Sequence, residues 1–495
     1  MRVAVCVMWL MVGGCFESRR SKGGGQISSG TARAASERRA NPYDIDLPAG
    51  YRIDVVAEGL TFPTGVAVDA RDRVYVVEAG YAYGERVTKP RLLVLDGKQL
   101  RELATGDGAP WNGIAYHDGA VYIAHGGELD GGRIVRYALT DGVIADTQVI
   151  VEGLPSYGDH HTNGPVITDD GWIYFGQGTA TNSGVVGVDN FEYGWLPRAP
   201  AFHDVPCRDV TLTGTNWESP NPLTPAPDDK VSTGAYLPFG TPSRPGQIIQ
   251  GRVPCSGAIL RVRASGGDVE LVAWGLRNPF GLALEPGGTL LVAENGFDTR
   301  GSRPVFGASD PVWRINPGGE PVWHGWPDHA EGRALTSEFY SESKGATRGF
   351  VLAEHPGKPP SPLAYLPVHA AATGLDVSRN TMFGRAGSAF VALFGDMAPK
   401  VGKVSGPVGF SVVSVDPRTG KVEAFARNRG DKAGPASALG TRGLERPVAA
   451  RFDRAGTSLY VVDFGVVRVS DKGIEPVPNT GKLWRITRED LIAPR

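Results

Sequence analysis

One pattern recurs six times along the chain and limits what it can fold into. A small residue after a turn opens an apolar strand, a tight turn follows, and a second strand reads apolar-Tyr-apolar-apolar or close to it. The copies are "FPTGVAVDARDRVYVVE" from Phe62, "WNGIAYHDGAVYIAH" from Trp111, "TNGPVITDDGWIYFGQ" from Thr162, "NPFGLALEPGGTLLVAE" from Asn278, "ATGLDVSRNTMFGRAGSAFVAL" from Ala372 and "RPVAARFDRAGTSLYVVD" from Arg446. Third strands such as "GRIVRYAL", "GAILRVRA" and "GKLWRIT" follow. The spacing is 48 residues from Gly65 to Gly113 and 51 to Gly164, then 117 to Gly281, 93 to Gly374 and 75 to Ala449, which replaces the last glycine. A base period of about 45–50 residues with about four strands per unit is that of β-propeller blades. The spacing predicts an all-β, six-bladed β-propeller over 42–490, with irregular insertions at about 184–254 and 324–366. The 68 glycines and 38 prolines, spread through short strand-like runs, agree with an all-β reading.

In a propeller the innermost strand of every blade runs the same way along the central channel. The residues just before those strands therefore gather at one mouth. Here they include Trp111 and Asn112, His161 and Asn163, Arg277 and Asn278, Thr373, and Glu445 and Arg446. A central cleft lined by convergent polar groups is the expected ligand site.

Each of these residues has two readings. His161, in "GDHHTNGPV", is suited to accept a hydroxyl proton near neutral pH, or it is a structural histidine. Its neighbour His160 competes for the role, and strand alternation favours only one of them facing the channel. Arg277 and Asn278 either tie blades together through loop carbonyls or recognise a planar anion, since guanidinium binds carboxylates bidentately. Arg446 offers a second positive charge. Trp111 either stacks on a flat ring or packs in the core. In "AENGFDTRGSRP", Glu294, Asn295 and Asp298 with nearby carbonyls are hard oxygen ligands that suit Ca²⁺; the alternative is an Asx-type turn with Arg300 paired to Asp298. Asp310 is a further acid nearby.

The amino terminus differs from the rest. "MRVAVCVMWLMVGGC" has a basic residue, an apolar stretch too short to span a bilayer, and a small-residue box before Cys15. It reads as an export signal over 1–15. "VGGC" resembles a bacterial lipoprotein cleavage box, which implies lipidation at Cys15 and a membrane anchor; ordinary secretion is the alternative. Residues 16–41, rich in Gly, Ser and Arg, read as a flexible tether. In an exported chain the remaining cysteines, Cys207 and Cys255, are expected to form a disulfide that clips the first insertion; two separate buried thiols are the alternative. The formal charge of −2 gives no electrostatic reason for a nucleic-acid partner.

"GLRNPFGLALEPGGTLLVAENGFDTRGSRP", "WHGWPDHAEG" and "HHTNGPV" resemble the glucose/sorbosone dehydrogenase family, and the segment from Cys207 to Cys255 resembles the insertion of its sorbosone dehydrogenase-like branch. The resemblance covers about 42–486. It implies a six-bladed propeller that uses pyrroloquinoline quinone with Ca²⁺ to oxidise a sugar or related alcohol and passes electrons to an external acceptor. It further implies His161 as general base, with Arg277 stabilising charge on the quinone. Arg277, Asn278 and Arg446 would be cofactor contacts, and the carbonyls of Gly296 and Phe297 calcium ligands. One loop departs from the family pattern: "FGDMAPK" stands where a His-Gly-Ser-Trp-Asn-Arg-like run is expected. That departure keeps open a non-catalytic, surface-anchored propeller that binds carbohydrate or protein. A lactone hydrolase would need an acidic metal cage, for which Glu294 alone gives little.

Overall fold

The computed structural model describes residues 39–80, 88–97, 99–127, 131–342, 348–402 and 404–489. The export signal, Cys15 and most of the proposed tether lie outside the described residues.

Strands such as Val74–Glu78 and Ser458–Asp463 are apolar and buried almost throughout, rather than alternating inside and outside. A strand needs that composition when neighbours cover both faces of its sheet. Six sheets meet this condition. Blade 1 contains Pro63–Val68, Val74–Glu78, Arg91–Asp96 and Gln99–Thr105. Blade 2 contains Trp111–His117, Ala120–His125, Gly132–Thr140 and Val143–Leu154. Blade 3 contains Thr162–Ile167, Trp172–Gln177, Ala258–Arg263 and Glu270–Trp274. Blade 4 contains Asn278–Leu284, Leu290–Asn295, Asp310–Ile315 and Ala364–Leu366. Blade 5 contains Ala372–Val377, Ala389–Leu393, Ser411–Val415 and Val422–Asn428. Blade 6 takes Pro447–Phe452, Ser458–Asp463 and Gly481–Arg488 from the end of the chain and Tyr51–Leu60 from its beginning. Each inner strand packs on the next, and that of blade 6 on that of blade 1, so the ring closes. The fold is a six-bladed β-propeller, as the repeat predicts.

The repeated glycine has a steric cause. A Cβ on Gly113 would lie 2.0 Å from the carbonyl oxygen of Gly164, and one on Gly281 would lie 2.1 Å from that of Thr373. These are the points where adjacent inner strands converge on the channel. A register irregularity occurs at the same place in every blade, for example between Pro279 and Gly281 and between Asn163 and Val166. Bulges of this kind re-aim the strand entry and its side chains.

The first insertion carries two short helices, Val188–Glu192 and Trp195–Arg198, and the hairpin Asn216–Pro220 with Lys230–Gly234. The Cys207–Cys255 disulfide, with a sequence separation of 48, ties the part of the insertion after these helices to its end, as expected. The second insertion packs on the first: Thr213 N–H donates to Val351 O, and Ala353 N–H to Thr211 O. Buried Arg303 joins the two through Asp328 at 2.8 Å and through the carbonyls of Ser183 and Pro327. Residues 364–366 at the end of the expected second insertion are the outer strand of blade 4. No helix among the described residues is long and apolar enough to cross a membrane.

Candidate functional site

A cavity of about 210 Å³ sits where the strand entries converge, and every blade contributes to it: Thr64, Asn112, Asn163, Asn278, Thr373 and Val448 line it in order from blade 1 to blade 6. Its polar side is built by blades 3 and 4 and the loop before blade 5. Its apolar side is built by Phe394 and Met397, between the second and third strands of blade 5, and by Phe464, Val467 and Ile474 of blade 6.

Both histidines of "GDHH" line this cavity. Alternation does not separate them because the strand begins only at Thr162. His161 Nδ1 lies 3.1 Å from Ser156 O. A carbonyl only accepts, so Nδ1 carries the proton and Nε2 the lone pair. The Ser156 segment is itself held: Gln177 Nε2 donates to Pro155 O at 2.7 Å, and Ser156 Oγ lies 2.8 Å from Thr162 Oγ1. Trp195 of the first insertion meets the His161 ring edge-on at 5.8 Å. Burial lowers the His161 pKa to about 4, so the ring is neutral at pH 7. His160 Nδ1 lies 2.8 Å from Thr179 O. Burial, reinforced by the nearby charges of Arg277 and Arg300, holds its pKa well below the usual value.

Arg277 is 2 % exposed yet lines the cavity. Its Nη2 donates to Asp298 Oδ2 at 2.7 Å and its Nε to Asn182 O at 3.1 Å. Asp298 also meets Arg300 Nε at 3.1 Å, so the pairing with Arg300 expected of a turn is present along with the cavity role of Arg277. Burial works to raise the Asp298 pKa, but Arg277 and Arg300 together hold it below the usual range. Arg300 continues the network to Asp159 at 2.7 Å and Asp189 at 2.5 Å. Asp159 lines the cavity with its pKa raised to about 6, first by burial.

Asn278 belongs to a ladder of amides. Asn163 Nδ2 donates to Asn278 Oδ1 at 2.9 Å, Asn278 Nδ2 to Asn295 Oδ1 at 2.8 Å, and Asn295 Nδ2 to Ala372 O at 2.6 Å. The ladder joins blades 3, 4 and 5, and all three asparagines line the cavity. Asn278 therefore does what the blade-tying reading expects, and each end of its amide keeps capacity for one further bond toward the cavity.

The expected calcium residues divide. Gly296 and Asp298 line the cavity, whereas Glu294 and Phe297 line a smaller one behind it, beside Trp313 and Trp326. The Glu294 carboxylate accepts from the Arg277 backbone N–H and from Trp313 Nε1, which makes it a brace rather than an available ligand. Burial raises its pKa to about 7. The Phe297 ring belongs to the core. Asp310 accepts from Gly296 N–H at 2.8 Å and Ala372 N–H at 2.9 Å, and burial likewise raises it to about 7. Among the described residues no group of three or more His, Cys, Asp or Glu side chains is set to hold a metal. Gly296 lines both cavities.

Two expected contacts are displaced. Arg446 is fully buried and does not line the cavity. Its Nη1 donates to Gly395 O at 3.0 Å and Asp396 O at 3.1 Å, and its guanidinium lies between the rings of Phe394 and Phe410. Burial lowers its pKa to about 10. The Phe394 ring that covers it comes from the departing "FGDMAPK" loop. Trp111 stacks on His125 at 4.3 Å and donates from Nε1 to Asp107 O, so it packs the interface of blades 1 and 2. Asn182, Asp159 and His369, which sequence reasoning missed, are all part of the site or of its support.

A flat, oxygen-rich anionic ring fits these surroundings. Arg277 reaches the cavity, the aromatic wall of Phe394 and Phe464 suits a ring face, and the buried His369 imidazole has no partner at either nitrogen.

No family model matches the chain, and no curated protein matches it in sequence. Solved structures match it along nearly its whole length. The PQQ domain of pyranose dehydrogenase from Coprinopsis cinerea, in its holo form, has a TM-score of 0.56 at 16 % identity over 91 % of this chain and 98 % of that one. A carbohydrate-active enzyme of family AA12 from Trichoderma reesei has a TM-score of 0.54 at 14 % identity over 91 % and 99 %. The soluble aldose sugar dehydrogenase from Escherichia coli, in its apo form, has a TM-score of 0.51 at 14 % identity over 89 % and 100 %. What this likeness shows is the fold: the chain is a propeller of the kind on which the pyranose and aldose sugar dehydrogenases are built.

Proposed function

We propose that this chain is a pyrroloquinoline-quinone-dependent dehydrogenase that oxidises the CH–OH group of a sugar or related alcohol. The observation that carries the reading is a neutral histidine, His161, oriented through Nδ1 by the Ser156 carbonyl, in the same cavity as Arg277. The pyranose and aldose dehydrogenases that share the fold support it.

In this reading His161 Nε2 takes the hydroxyl proton of the substrate. Neutrality at pH 7 leaves the lone pair ready, and the Ser156 carbonyl stabilises the imidazolium that forms. Arg277, held in place by Asp298 and Asn182, would hold the anionic quinone and stabilise negative charge on it. The quinone, when bound, supplies a two-electron acceptor for the hydride released as the substrate is oxidised. Calcium would be held by the carbonyls of Gly296 and Phe297, with no side-chain cage. Phe394 and Phe464 would exclude water from the apolar side of the site. Electrons leave to an external acceptor, and Cys15 anchors the exported protein to a bacterial membrane.

The test is direct. The chain loaded with quinone and Ca²⁺ should reduce a dye when given an aldose. His161→Ala should lower kcat/KM by roughly 10²–10⁴-fold while quinone uptake persists. Equal turnover by the variant would remove His161 from the mechanism, and ligand binding that needs no quinone would favour the non-catalytic carbohydrate-binding reading.

A further inference from the structure

Three histidines line the cavity, and His160 and His161 each engage a ring nitrogen in a hydrogen bond. His369 lines the cavity, is 6 % exposed, and has no partner at Nδ1 or at Nε2. Buried polar groups are almost always bonded, and one left unpaired costs roughly 1–3 kcal/mol. An imidazole with both nitrogens unmet is therefore built for something that arrives.

The backbone supports this. His369 has φ of 60° and Ala371 φ of 54°, so two non-glycine residues within three positions adopt the left-handed region just before the inner strand of blade 5. Such strain is retained where the surrounding structure gains from a placed side chain. The ring is tightly packed on one side: a Cβ on Gly402 would fall 2.9 Å from His369 Cε1. The ring lies in the electrostatic field of Asp298, Arg277 and Arg300, and burial keeps it neutral at pH 7. A neutral imidazole both donates and accepts. Arg277 is the only arginine lining the cavity among the described residues, since Arg446 is sealed behind Phe394. An anionic ring held there meets one arginine, and the unmet imidazole of His369 offers it a further N–H.

We propose that His369 is a cofactor-contacting residue, its ring N–H donating to an oxygen on the edge of the quinone beside Arg277. This rests on the reading that the cavity takes the quinone. The role is one of binding, distinct from the proton transfer assigned to His161.

The experiment titrates the full chain, with Ca²⁺ present, with pyrroloquinoline quinone and follows tryptophan fluorescence. The parent, His369→Ala and His369→Asn are compared. In parallel, the imidazole ¹⁵N signals of the parent are recorded with and without quinone. Asparagine tolerates the left-handed backbone and keeps an N–H donor. We expect His369→Ala to weaken quinone binding by about tenfold or more, His369→Asn to recover most of it, and the His369 ring signals to shift on binding. If the alanine variant does not fold, the shift in the parent decides. Unchanged affinity or unshifted signals, in a parent that binds quinone, overturns this proposal alone. An effect confined to the aldose KM of the loaded protein overturns it too, because the contact would then be to substrate. No binding by the parent overturns both this proposal and the quinone reading.

Discussion

His161 was legible in the sequence, and its state was not. A histidine just before an inner strand points to the channel mouth, but only the folded chain brings Ser156 to its Nδ1 and buries the ring. The consequence is measurable. With a pKa of about 4 the imidazole keeps its lone pair well below the pH at which an ordinary histidine protonates. If His161 is the base of the proposed reaction, the acid limb of kcat/KM, which reports the essential base of a free enzyme, should have its midpoint nearer pH 4 than pH 6.5, falling as pH decreases. A midpoint at or above 6.5 would mean that the ring is solvated or is not the base. Arg446 shows the opposite limit. Its position fixes it near the rim, but nothing in the sequence says that Phe394 and Phe410 will enclose its guanidinium. His369 and Asn182 carry no repeat signature, and their roles come from partners far away in the chain. Asn182 bonds Arg277, 95 residues away.

At the scale of the element, the repeat was legible because one physical constraint writes it six times. Blades covered on both faces require apolar strands, and neighbouring strands meet so closely at the channel that the residue there must be small. Gly281→Ala tests this. Its Cβ would stand 2.1 Å from the Thr373 carbonyl oxygen, part of a packed inner strand that cannot readily retreat. The variant should lose about 1–3 kcal/mol, the usual range for overpacking a core, with a matching fall in denaturant midpoint. An unchanged midpoint would show that the inner strands are not so tightly apposed. The insertions were legible as gaps in the spacing and through their cysteine pair. Their mutual packing through Arg303 and Asp328 was not, because ion pairs between irregular segments leave no periodic trace.

At the scale of the whole molecule, closure of the ring brings distant strand entries into one cavity. Tyr51–Leu60 from the start of the chain pairs with Gly481–Arg488 from its end, so the last blade is complete only when both ends are in place. That closure sets His161, Arg277 and His369 around one cavity, although 208 positions separate the first from the last in the numbering. The cavity is polar on one side and aromatic on the other, with few cations for an anionic ligand. The account therefore depends heavily on Arg277. Calorimetric titration of the calcium-loaded chain with pyrroloquinoline quinone, comparing the parent with Arg277→Ala, tests it most directly. The account predicts saturable binding by the parent and affinity weakened by about tenfold or more, or 1.4 kcal/mol, in the variant. Absence of saturable binding by the parent at tens of micromolar quinone, or equal affinity in the two proteins, would contradict it.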